Sequence, residues 1–123
     1  MDAPPRSSEQ LPDTSVEIYS GKCRRVVDGD SLYLDGVEKQ IRLWGVDAPE
    51  RDEDGYTAAR KKLTHMALGK QLRCRLKDVD KYGRIVARCY REDDNTELNL
   101  QQIESRVARE YCRFTANFYG YCR

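Results

Sequence analysis

From Val16 to Val27 the chain is rich in β-branched and aromatic residues, which predicts a long first strand that Asp28-Gly29 interrupts. Polar and apolar positions then alternate, Ser31 and Tyr33 against Leu32 and Leu34, the period of two expected of a half-buried strand over 30–34. Asp35-Gly36 is a hairpin turn signal. A third strand is expected from about Glu38 to Trp44, with Ile41 and Leu43 on one face. These runs predict a three-stranded antiparallel meander.

Beyond it, Asp47 to Asp54 reads as a loop fixed by Pro49. From Tyr56 to Leu68 the period changes: Ala58, Ala59, Leu63, Met66 and Ala67 recur at helical spacing. Acidic Asp52, Glu53 and Asp54 precede this helix, suiting the positive end of its dipole, and Gly69 supplies the stop. Two further strands are expected, Gln71–Leu76 and Ile85–Tyr90, joined by a polar loop. Asn99 with Gln102 three residues later resembles a capping box opening a second helix to about Val107. The order β-β-β-α-β-β-α predicts an α+β, mainly β fold: a five-stranded OB-type barrel with inserted and flanking helices.

A length of 123 residues allows one modest core. Residues 1–14 read as a flexible polar leader, without the apolar stretch of a signal peptide, and 15–123 as one domain. No apolar run has the length of a membrane-spanning helix. With a formal charge of +1, the chain is no globally basic nucleic-acid binder, and any grip on a polyanion has to be local.

Five cysteines, one histidine and no Cys-x-x-Cys pair argue against zinc. The simpler reading is disulfides in an oxidising compartment, secreted or periplasmic: Cys74 with Cys89 on neighbouring strands, Cys112 with Cys122 around the C-terminal segment, and Cys23 left over. The other is five reduced, mostly buried thiols. His65, amid lysines in mid-helix, reads as a solvated surface residue.

Three segments carry candidate chemistry. Asp28-Gly29-Asp30-Ser31 sets two carboxylates around a glycine at a strand break, where an ordinary Asp-Gly turn is the plain account. In Ile41-Arg42-Leu43-Trp44-Gly45-Val46-Asp47-Ala48-Pro49-Glu50, Arg42 points away from its apolar neighbours. Asp47 and Glu50 flank a rigid proline there, which helps when carboxylates must be held still. Asp80-Lys81-Tyr82-Gly83-Arg84 is either a hairpin turn or a loop that presents several donors to a phosphate.

Together these segments resemble the staphylococcal nuclease family over roughly Val16 to Tyr111: the Asp-Gly-Asp turn, the Arg-Leu-x-x-Val-Asp-x-Pro-Glu run and the Asp-Lys-Tyr-Gly-Arg run stand in that family's order and spacing. The resemblance implies a calcium-dependent endonuclease acting on DNA, single- or double-stranded, and on RNA, leaving 3′-phosphate ends. It implies that Asp30, Asp47 and the Ala48 carbonyl hold Ca2+, and that Arg42 and Arg84 grip the scissile phosphate. Glu50 would orient or deprotonate the attacking water, and Lys81 and Tyr82 would hold a neighbouring phosphate. Asp28 would stand behind the metal, and Tyr111 would stack on a base. A monomer without an obligatory protein partner is expected.

Departures from the family pattern are Ala48 in place of threonine, and a short acidic loop from Arg51 to Tyr56. An aromatic tail (Phe114, Phe118, Tyr119, Tyr121) between two cysteines takes the place of a final helix and is expected to lie as a lid over the barrel. The alternative function is a non-catalytic nuclease-like module that binds nucleic acid or protein. Such a binder has no use for carboxylates in a phosphate cleft, since they repel the ligand unless a metal intervenes.

Overall fold

A computed structural model describes residues 17–122; the polar leader expected over 1–14 lies outside them. Its strands are β1 (Ile18–Asp28), β2 (Ser31–Leu34), β3 (Ile41–Leu43), β4 (Val46–Asp47), β5 (Gln71–Val79), β6 (Ile85–Arg91) and β7 (Arg109–Glu110). The helices are α1 (Tyr56–Ala67), α2 (Leu98–Glu104) and α3 (Cys112–Thr115). None is long and apolar enough to cross a membrane.

Five strands close into a barrel in the order β1-β2-β3-β6-β5. The meander is present: β1 pairs antiparallel with β2, and β2 with β3. Closure depends on the length of β1, whose first half (Ile18–Lys22) pairs with β5 and whose second half pairs with β2. The remaining seam is parallel, with Ile41 opposite Ile85 and Arg42 opposite Val86. Alternation along the strands turns Leu32, Leu34, Ile41, Leu43, Leu72 and Ala87 into a core that excludes solvent. Helix α1 lays Ala59, Leu63, Met66 and Ala67 against it, leaves His65 exposed, and ends at Ala67, followed by an extended Leu68 and then Gly69 at φ 79°.

Three features differ from the sequence expectation. The third strand is regular only over Ile41–Leu43, because Glu38 and Lys39 are drawn out to solvent ahead of it. A small sheet of β4 and β7 was not foreseen, since two residues per strand leave no period to read. The capping box does not form either. Helix α2 starts after Glu97 without a side-chain cap, and Asn99 and Gln102 are both fully buried.

Their amides serve the interior instead. Asn99 Nδ2 donates to the carbonyls of Trp44 (2.8 Å) and Ala87 (3.1 Å), and its Oδ1 accepts from the Cys89 amide (2.9 Å). It thereby satisfies the strand ends where β3 and β6 diverge.

Disulfides join Cys74 to Cys89, which face each other across β5 and β6 with Cα atoms 4.0 Å apart, and Cys112 to Cys122, with Cys23 free and buried. The C-terminal tail lies on the flank of the barrel at Trp44 and Gly45. Only Tyr119 of its four aromatics packs on the core; Phe114, Phe118 and Tyr121 remain exposed.

Candidate active site

The Asp28-Gly29-Asp30 turn is built by close packing. A Cβ on Gly29 would lie 2.6 Å from the Ala59 Cβ and 2.9 Å from that of Ala48, so only glycine lets the turn sit between α1 and the loop after β4. Its carbonyl accepts the Gln102 amide at 2.8 Å, and the same amide reaches the Ala59 carbonyl at 3.0 Å. Tyr56 Oη and Arg60 Nε both donate to the Val27 carbonyl, at 3.3 and 3.2 Å. Asp28 closes the turn from within, accepting from Ser31 Oγ (2.6 Å) and from the Asp30 amide (3.4 Å).

This scaffold aims Asp30 at Arg42. The two meet at 3.5 Å, with side chains 16% and 18% exposed. A second guanidinium nitrogen of Arg42 donates to the Leu43 carbonyl at 2.8 Å, which fixes the fork against its own strand. Burial pushes the Asp30 carboxyl up to about 7, helped by its hydrogen bond and like charge with Asp28; Arg42 and the Ala48 amide only partly oppose this. Burial also acts upward on Asp28, but hydrogen bonds from Asp30 and Ser31 outweigh it and hold its carboxyl below the usual range. The turn thus offers one ionised and one readily protonated carboxyl, and any cation arriving beside Asp30 favours its charged form.

Arg84 enters just ahead of the neighbouring strand. The parallel register sets Arg42 opposite Val86, and Arg84 stands two residues before Val86, immediately preceding β6. Asp80 fixes it, accepting Arg84 Nε at 2.7 Å and the amides of Tyr82 (3.0 Å) and Arg84 (2.9 Å). The rest of the guanidinium fork makes no further hydrogen bond among the described residues. Lys81 and Tyr82 occupy the exposed tip of this turn, Tyr82 with Lys81 and Arg84 on its ring at 5.3 and 5.6 Å.

Asp47, Ala48 and Glu50 line a pocket of about 510 Å³ whose opposite wall carries Arg106 and Arg109. Glu53 rigidifies the loop: its carboxylate accepts the Glu50 amide at 2.7 Å, and its amide donates to the Glu50 carbonyl at 2.8 Å. Asp47 and Glu50 are exposed, and their carboxylates have no partner among the described residues. Tyr111 does not line this pocket. Its amide donates to the Gly45 carbonyl at 2.7 Å, and its ring meets Phe114 edge-on at 4.7 Å.

Two kinds of site residue escaped the sequence reading. Arg106 and Arg109 reach the carboxylate pocket only because β7 pairs with β4, Asp47 opposite Arg109. Gln102 supports the turn from a helix whose polar spacing suggested a cap.

Chemically, the cluster offers hard oxygen donors and two anchored guanidiniums. Among the described residues no three His, Cys, Asp or Glu side chains form a preassembled metal cage. Two carboxylates and a carbonyl suit a hard cation that keeps much of its coordination as water, and the part-buried Asp30 offers one such oxygen donor.

Comparison with known proteins agrees with this geometry. Residues 40–121 match the family described as staphylococcal nuclease homologue. Over 106 residues the chain is 24% identical to a micrococcal nuclease of Shigella flexneri, covering 83% of this chain and 61% of that protein. Over 89 residues it is 32% identical to an uncharacterized endonuclease of Escherichia coli, covering 71% of this chain and 56% of that one. The chain therefore spans less than two thirds of the length of these curated relatives. A match that runs from the residue before Ile41 through Arg42, Asp47, Glu50 and Arg84 to the aromatic tail covers most of the site just described, and on it the chain belongs to the staphylococcal nuclease family.

Proposed function

We propose that this protein is a calcium-dependent endonuclease that hydrolyses phosphodiester bonds of DNA and RNA and leaves 3′-phosphate ends. The observation that carries the reading is the part-buried pairing of Asp30 with Arg42, set beside the Ala48 amide. A surface that merely bound phosphate would gain nothing by burying a carboxylate next to its arginine.

Asp30, Asp47 and the Ala48 carbonyl would hold Ca2+, with Asp28 supporting Asp30 from behind. When bound, the ion supplies positive charge that offsets the negative charge building on the phosphoryl oxygens. Arg42 and Arg84 grip the same oxygens, each presenting paired donors that a lysine lacks. Glu50, whose carboxylate is unengaged on a loop fixed by Pro49 and Glu53, orients the attacking water and takes its proton. Lys81 and Tyr82 hold the next phosphate, and Tyr111 offers its ring to a base. Contacts to phosphate rather than to base edges admit both single and double strands, deoxy or ribo. The protein works as a monomer.

The test is cleavage of single-stranded DNA in calcium, in chelator, and by Glu50→Gln. Calcium-dependent cleavage that chelator abolishes and the variant largely loses is expected. Well-folded protein that cleaves nothing in calcium, magnesium or manganese would rule the enzyme out and leave the binding module.

A further inference from the structure

Trp44, the one tryptophan of the chain, directly follows β3, in the turn before Gly45 and two residues beyond Arg42. Lys77 of β5 reaches across β6 and places its ammonium 4.5 Å from the Trp44 ring centroid. Phe118, 55% exposed, meets the same ring edge-on at 5.6 Å.

Nearby cations are engaged by the fold. Arg88 forks onto Glu97 with two bonds of 2.9 Å, and Arg73 is held by Glu92 at 3.0 Å and Asn95 at 2.7 Å. Lys77 has no carboxylate partner among the described residues and is exposed. A cation held among the described residues only by a ring, beside an exposed Phe118 whose ring Arg88 approaches to 4.7 Å, has the chemistry of a single-strand track: phosphate on the cation, base on the ring.

We propose that Trp44, Phe118 and Lys77 form a subsite for a nucleotide flanking the cleaved bond, taking an unpaired base against the rings and its phosphate on Lys77. The assignment of this nucleotide as flanking rests on the endonuclease reading. In a duplex the faces of each base are already covered by its neighbours, so this subsite selects single strands. An apolar protein segment fits less well, because Lys77 lies on the Trp44 ring and Arg88 on that of Phe118.

The lone tryptophan makes the test direct. Full-length Glu50→Gln protein in calcium is titrated with oligodeoxythymidylate and, separately, with a duplex of the same length, while Trp44 fluorescence is followed. Saturable quenching by the single strand and little by the duplex are expected. Phe118→Ala and Lys77→Ala should each weaken binding by roughly fivefold or more. Lys77→Ala should also lower the slope of log affinity against log salt by about 0.7, the loss of one phosphate contact.

Absence of quenching, an equal response to duplex, or an unchanged salt slope overturns the subsite. Wild-type cleavage is assayed in parallel. Cleavage without quenching sinks the subsite alone, whereas quenching without cleavage sinks the hydrolytic reading and keeps the single-strand track.

Discussion

The Gln102 amide donates to the carbonyl of Gly29 at 2.8 Å, so a helix late in the chain fastens the turn that carries Asp28 and Asp30. Gln102 is fully buried, and its Oε1 finds no partner among the described residues, so the side chain is kept in place by its donor end. Gln102→Leu fills the same space and leaves the Gly29 carbonyl unsatisfied. The expected cost is about 1–3 kcal/mol of stability, read by urea denaturation, together with a slower cleavage rate as the turn loosens. Stability within about 0.5 kcal/mol of wild type would show that the bond does not hold the turn.

Arginine geometry makes a separable prediction. Arg84→Lys keeps the charge opposite Asp80 and, since a half-exposed ion pair within one turn contributes about 1 kcal/mol or less, should move the melting temperature little. It loses the planar fork. By analogy with arginines in phosphoryl transfer, kcat should fall by about 10³–10⁵, with Arg42→Lys behaving alike. Steady-state kinetics on a single-stranded oligonucleotide, with circular dichroism to confirm folding, decides it. A variant retaining most of its kcat would remove Arg84 from the phosphate.

Glu110 is the anchor of the C-terminal tail and gives the pH prediction. Its carboxylate accepts Thr115 Oγ1 (2.5 Å) and the amides of Tyr119 (2.9 Å) and Tyr121 (2.8 Å). Burial pushes this carboxyl upward, but the three donors win and hold it below its ordinary value. A lowered folded pKa means that the unfolded chain binds the proton first as pH drops. The stabilisation is therefore complete above the ordinary glutamate range and is lost as pH falls through the lowered value. Thermal melts from pH 7 to pH 3 should show a steeper acid-side loss for wild type than for Glu110→Gln. Parallel curves would mean that the tail does not depend on this charge.

The Cys112–Cys122 bond closes a short loop around that same tail. Replacing both with serine frees the denatured chain and should cost roughly 2–3 kcal/mol, seen as a lower melting temperature. The rings of Phe118 and Tyr119 should also leave Trp44, which they meet at 5.6 and 5.8 Å, so the fluorescence of the folded variant should shift. Unchanged stability and spectrum would leave the bond without a structural role.

The barrel and the first helix were legible because their periods are clear: Leu32 and Leu34 face the core, although Ser31 is buried too, and Ala59, Leu63, Met66 and Ala67 keep the helical spacing while Ala58 is exposed. The carboxylates and arginines were legible as segments, through their resemblance to a family. Contacts between distant segments were not. Gly29 looked like a bend and proved to be a close approach between α1 and Ala48. Asn99 and Gln102 had the spacing of a cap and instead satisfy carbonyls of Trp44, β6, α1 and the turn at Gly29. A local pattern reports what a residue can bond within one turn of chain, and these amides bond elsewhere.

The parallel seam between β3 and β6 joins Ile41 to Ile85 across a helix and a hairpin. Ladders of such long sequence separation are slow to form, because the chain between must be organised first. Arg42 and Arg84 lie on the two sides of that seam, and until it zips they belong to unconnected parts of the chain. If both arginines bind phosphate as proposed, a partly folded molecule, however native its hairpins, has half a grip on it. Catalytic competence should appear in refolding experiments only with the closing step, making activity a kinetic marker of a finished barrel.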